Sequence, residues 1–207
     1  MLYLYALTEH PAVVPQTLGL EETPLAVERL DGIEASEEAM LTHARIVDEL
    51  TALNQAVLPA RFGRGYPDAD ALRSAVAEQA DDLRQALERV RGCLELGLRV
   101  LSQPGDTDSP GQSGREYMLG RLDARRQAER LADEVHSPLA ALARAETRTI
   151  AATPHLLLSA AYLVQREALE RFQSAVQELE SAHPELSLAC TGPWPPYSFA
   201  TAEIEPR

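Results

Sequence analysis

Between Arg91 and Leu101 the side chains alternate, with Leu94, Leu96, Leu98 and Val100 interleaved between Cys93, Glu95, Gly97 and Arg99. A period of two marks a strand with one buried face, and such a face obliges the following chain to supply a covering layer. Tyr117, Ala124, Ala128, Leu131 and Val135 mark a long helix, which Pro138 kinks or ends before Leu139 and Leu142. Arg144 to Ala152 and His155 to Val164 read as two strands joined by Thr153-Pro154, a hairpin. Leu169, Phe172, Val176 and Leu179 form another helical stripe ended by His183-Pro184, and Leu186, Leu188 and Cys190 alternate in a last strand before a tail at Gly192-Pro193. The order strand, helix, strand, strand, helix, strand is that of a ferredoxin-like (βαββαβ) unit.

The first 90 residues read as a shorter unit. Leu2 to Leu7 alternates aliphatic and tyrosine side chains as a strand with one buried face, stopped by Pro11 and Pro15. A weak strand follows around Leu25 to Leu30, closed by Asp31-Gly32. Ser36 caps a helix carrying Glu37 and Glu38 in its first turn, with Ala39, His43, Ile46, Leu50 and Leu53 on one side. Ala56 to Phe62 is a strand whose Pro59 belongs at an edge or end. Leu72, Val76, Ala80, Leu83, Leu87 and Val90 then predict one long amphipathic helix. The fold class is α+β with two small domains, 1–90 and a ferredoxin-like 91–192, followed by a Pro/aromatic tail, 193–207, that packs back on them. Ser102 to Gly114 has no apolar side chain and is expected to be a mobile loop.

Composition narrows the function classes. The 207 residues hold 19 basic and 32 acidic side chains, a net charge of −13 that disfavours nucleic acid as a partner. Two cysteines, Cys93 and Cys190, make no disulfide framework, and their phase in the two strands points the thiols to opposite faces, so no bridge is expected. A reducing cytoplasm fits. The longest apolar run, Leu156 to Val164, is far shorter than the ~18 residues of a membrane span, and MLYLYAL lacks a basic start, so neither a span nor a signal peptide is expected.

The chain carries no phosphate-binding glycine loop, nucleophile elbow or metal-spaced His/Cys pair; His10, His43, His136, His155 and His183 are scattered. No enzyme activity, cofactor or metal is therefore expected. His43 lies on an apolar helix face and reads first as a hydrogen-bonded packing residue, second as a partner contact. Arg61 and Arg64 flank Phe62-Gly63 at a strand end; an intramolecular ion pair is the plainer reading, and a forked contact to a partner's carboxylates the functional one. Arg121, Arg125, Arg126 and Arg130 interleave with Asp123, Glu129, Asp133 and Glu134 as an ion-paired, solvated face. In GPWPPYSF, three prolines stiffen a segment that carries Trp194, Tyr197 and Phe199. A clamp that seals the domain junction is preferred over an exposed docking segment, with Trp194 buried in the first case.

HARIVDEL around His43, AVLPARFG at 56–63, ERVRGCLELGLRV at 88–100 and GPWPPYSF at 192–199 together resemble the gas vesicle protein GvpL/GvpF family. The resemblance implies two α+β domains, the second a modified ferredoxin fold whose variable insertion matches 102–114. It also implies an accessory or minor structural protein, cytoplasmic or in the vesicle, that binds the hydrophobic shell subunit and other accessory proteins. His43, Arg61, Phe62, Arg64, Trp194, Tyr197 and Phe199 are then the candidate partner contacts. A small-molecule-sensing regulatory module on a ferredoxin-like scaffold is the alternative.

Overall fold

The computed structural model describes residues 1–9, 16–19, 24–32, 35–102, 114–149 and 156–200. The chain divides into two compact units, 1–95 with 193–207, and 96–192. The chain passes from one unit to the other inside a strand, first after Glu95 and again after Gly192.

In the first unit, β1 (Leu2–Thr8) is the centre of a sheet with β2 (Gln16–Gly19), β3 (Pro24–Arg29), β4 (Val57–Pro59) and β5 (Gly65–Tyr66), in the order β2-β3-β1-β4 with β5 also on β1. The pairs β1–β3, β1–β4 and β2–β3 are antiparallel, and the β1–β3 register slips between Leu4 and Ala6. Every residue of β1 is buried, whereas the alternation predicted one buried face. The reason is position: Tyr3 and Tyr5 pack on Ile46, Val47 and Leu50 of helix α1 (Glu37–Leu53), while Leu4 and Leu7 face Leu83 on the other side. The strand at β2 was not foreseen, and β4 is shorter than the predicted 56–62. Pro59 does sit at the end of an outer strand, where no ladder donor is needed.

Ser36 caps α1 as expected, accepting from the Ala39 amide at 3.2 Å. Leu53, predicted on the buried side, is 68 % exposed, and Val47 takes its place in the core. The expected long helix is two, α2 (Ala69–Glu78) and α3 (Ala80–Val90), broken at Gln79. At the break, Asp81 and Asp82 form an acidic first turn suited to a new helix N-terminus; α2 has its own cap in Asp68. Leu72, Val76, Leu83, Leu87 and Val90 are still buried, but Ala80 is exposed.

The second unit is built on a four-stranded sheet, order β7-β8-β6-β9, from β6 (Cys93–Ser102), β7 (Ala145–Thr149), β8 (Leu156–Gln165) and β9 (Leu186–Trp194). Helices α4 (Gly114–Ala140) and α5 (Leu169–Ala182) supply the covering layer. Leu96, Leu98 and Val100 meet Ala132, Val135 and Leu139 of α4, Phe172 and Val176 of α5, and Leu186 and Leu188 of β9 in one core. At the start of β6 the opposite face is buried instead: Cys93 and Glu95 are covered and Leu94 is only partly so. Pro138 does not end α4, which runs on to Ala140 and buries Leu139; Ser137 and Pro138 face solvent, where the missing amide costs least. β7 and β8 are antiparallel partners. Their predicted turn at Thr153-Pro154, and 103–113 of the expected mobile loop, lie outside the described residues. β9 continues through Pro193 to Trp194 rather than stopping at Gly192, which an outermost strand allows. Both cysteines are free thiols.

Candidate functional site: an aromatic cluster and a clamped C-terminal segment

Tyr3 and Tyr5, two positions apart on β1, present their rings to the same side, where α1 places His43. The three rings and Phe62 form one cluster, with His43 5.5 Å from Tyr5, 5.7 Å from Tyr3 and 5.8 Å from Phe62 between centroids. His43 is 4 % exposed and uses both ring nitrogens. Nε2 lies 3.0 Å from the Ala60 carbonyl and Nδ1 2.8 Å from the Tyr3 hydroxyl. A carbonyl only accepts, so Nε2 carries the proton; in the neutral ring Nδ1 then accepts from Tyr3. The Tyr3 oxygen in turn accepts from the Gly63 amide at 3.2 Å. Burial holds the His43 imidazole below the ordinary histidine value, opposed by its bond to Ala60, and pushes the Tyr3 phenol up. Tyr5 donates to Glu28 Oε2 at 2.6 Å.

This chain of bonds fixes the turn 60–64. Gly63 has φ 88°, a left-handed conformation that a side chain would strain. Arg61 is exposed and Arg64 half-buried; both line a cavity of about 90 Å³ floored by Leu4, Leu7, Leu58 and Leu83 and bordered by Tyr197 and Ala200. The fold thus joins His43 to Phe62 in the aromatic cluster, and Arg61 and Arg64 to Tyr197 around the cavity.

Phe199 is 5 % exposed, and Pro195 and Pro196 are buried with it. The segment is held by Glu95, whose carboxylate accepts from the Ser198 amide at 2.8 Å and the Ser198 hydroxyl at 2.6 Å. Trp194, expected to be buried in the clamp, is instead 50 % exposed; the anchoring side chain is Phe199 and the anchoring polar contact is Ser198. Sequence reading missed Tyr3, Glu95 and Ser198. Their only signal was an acid placed among apolar neighbours in a strand and a tyrosine pair in phase.

The second unit holds a similar pair. His136 Nδ1 is 2.8 Å from the Tyr162 hydroxyl, their rings lie 5.6 Å apart, and Nε2 is 3.6 Å from Glu146 Oε1. Two arginines of α4 make ion pairs, Arg125 with Glu129 and Arg126 with Asp123, and Asp133 of the same helix pairs with Arg148 of β7. Among the described residues no group of His, Cys, Asp and Glu is arranged to hold a metal, and no helix is long and apolar enough to cross a membrane.

Gas vesicle protein F2 of Halobacterium salinarum is 31 % identical over 171 residues, covering 83 % of this chain and 70 % of its own. Gas vesicle protein L of a Streptomyces species is 30 % identical, covering 87 % and 75 %. The crystal structure of the gas vesicle protein GvpF from Anabaena sp. PCC7120 superposes with a TM-score of 0.80 at 18 % identity, over 97 % of this chain and 95 % of that one. That of GvpF from Microcystis aeruginosa gives 0.78 at 15 %, over 97 % and 98 %. These establish a shared mixed helix and antiparallel-sheet fold. The family model described as gas vesicle synthesis protein GvpL/GvpF matches residues 1–201, and the chain belongs to that family.

Proposed function

We propose that this protein is a non-enzymatic accessory or minor structural component of gas vesicle formation that binds the hydrophobic shell subunit and other accessory proteins. The observation that carries the reading is the family match over residues 1–201, which supports a role in gas vesicle formation. The binding role has physical support of its own. A shell subunit with a gas-facing apolar surface aggregates unless held, and a strongly acidic partner keeps such a complex dispersed. The turn with Arg61, Phe62 and Arg64, and the half-exposed Trp194 and Tyr197, combine forked donors with amphipathic rings, the residue types that anchor protein interfaces. In this reading the protein works in the cytoplasm or on the vesicle, needs no cofactor, and carries its partner contacts on the domain that begins at Met1. The domain from 91 to 192 is ferredoxin-like, a reading favoured by the strand order β7-β8-β6-β9 and two covering helices.

Affinity capture of the shell subunit by the full chain is the direct test. Association under vesicle-forming conditions is expected, and its absence there counts against the binding role. Deleting the gene in a vesicle-forming host should reduce buoyancy or alter particle shape.

A further inference from the structure

His43 does more than fill space. Its neutral ring joins three elements through three hydrogen bonds: the helix that carries it, the Tyr3 hydroxyl of β1, and the turn at Ala60 and, through Tyr3, Gly63. Every bond in this chain has one direction. Nε2 donates to Ala60, Tyr3 donates to Nδ1, and Gly63 donates to Tyr3. Protonation would break that assignment. Nδ1 would become a donor, the Tyr3 oxygen would face two donors, and the phenol's own proton would lose its acceptor inside an aromatic cluster. A buried donor without a partner and a buried charge are both costly, so the cluster has to open.

The groups around the ring leave little compensation. From β1 come Tyr3 and Tyr5, and Tyr5 already donates to Glu28 of β3. From the turn come the Ala60 carbonyl and Phe62. On α1 itself Arg45 is exposed and paired with Glu49 at 3.0 Å, and Asp48 lies five positions on. From the C-terminal segment comes Tyr197, whose phenol is pushed up by burial first and then by the nearby Asp48 and Tyr3. Both imidazole nitrogens are already committed, so a carboxylate would reach the ring only after the existing bonds had broken.

We infer that His43 is a positioning residue which, as the neutral imidazole, holds the turn 60–64 in the shape that presents Arg61 and Arg64 to a protein partner, with Phe62 anchored in the aromatic cluster, and releases it when protonated. The inference deepens the proposed binding role and rests on it for the partner, but not for the latch. The kind of partner follows from the turn's chemistry: Arg61 and Arg64 beside the apolar cavity wall of Leu58 and Tyr197 fit a polypeptide segment with a carboxylate next to an apolar side chain.

The test is amide hydrogen exchange on the full chain at about pH 7.5 and about pH 5.5, on either side of the ordinary histidine value. After correction for intrinsic rates, protection at 60–64 is expected to fall by up to about tenfold at the lower pH, while amides of Leu98 and Leu158 in the second unit hold theirs. His43→Gln offers an amide donor to Ala60 and an oxygen to Tyr3 without titrating, so its turn should stay protected at both pH values. Tyr3→Phe removes the middle of the chain and should leave the turn unprotected already at about pH 7.5. Protection that is indifferent to pH in the wild type, or that falls equally in His43→Gln, overturns the latch. Capture of purified shell subunit is measured in the same buffers. Wild-type capture that weakens at low pH while His43→Gln capture does not supports the presentation role; a turn that opens with no change in capture overturns that role. No capture at either pH, with the expected exchange, supports the latch and counts against the proposed binding role instead.

Discussion

Phe199 and Trp194 sit five positions apart in one Pro-rich segment, yet burial separates them. Phe199 is enclosed and Trp194 half-exposed, so Phe199→Ala should cost about 3–5 kcal/mol and Trp194→Ala less than about 1 kcal/mol in urea unfolding followed by circular dichroism. Equal costs would mean that the segment is anchored by both rings. The His43 site sets a pH dependence whose sign can be worked out. Burial lowers its folded-state value below 6.5, so the unfolded chain takes up the proton first. Its contribution to stability is complete above about pH 6.5 and is lost as the pH falls through the lower folded value. Stability curves of wild type and His43→Gln should therefore be parallel above that point and diverge below it. His43 as a packing residue was legible from the apolar face of α1. Its partners were not, because Tyr3 and Ala60 lie 40 and 17 positions away and only the sheet brings them together.

Strands and helices were legible wherever one face alone meets the core. α5 and the core-facing half of β6 follow their periodicity because a single layer covers them. β1 departs from it because the centre of a sheet with cover on both faces buries every position, and alternation then reports residue type rather than exposure. The stripe from Leu72 to Val90 ran unbroken in sequence but spans two helices, since a seven-residue step from Val76 to Leu83 keeps the phase across the break at Gln79. Within the second unit, β6 and β9 approach closely at Gly97, where an added Cβ would lie 2.8 Å from Thr191 Oγ1. Gly97→Ala should then cost about 1 kcal/mol through a forced Thr191 rotamer, and Thr191→Ala should recover most of it. Thermal unfolding of the two single variants and the double variant measures this; additive losses would place the strain elsewhere.

Buried phenols tie both units to one alkaline limit. Burial is the first cause that pushes up Tyr3, Tyr5 and Tyr162, and it raises Tyr66 to about 12. A raised folded-state value means that the folded form holds its proton longer, so this stability is whole below about pH 10 and disappears as the pH climbs through the folded values. Phenolate absorbance and loss of circular dichroism should rise together, and later than phenolate formation in the urea-unfolded chain. A folded chain with phenolate fully formed near the ordinary tyrosine value would contradict this. Local sequence determined the alternation of helices and strands, the caps at Ser36 and Asp68, the acidic surface and the family-bearing segments, because each depends on neighbours within a few positions. Only the tertiary structure decided which faces of β1 and β6 are covered, that Glu95 holds Ser198, and that His43 reaches the turn at Ala60. Those outcomes depend on groups brought together from distant parts of the chain, and periodicity carries no record of them.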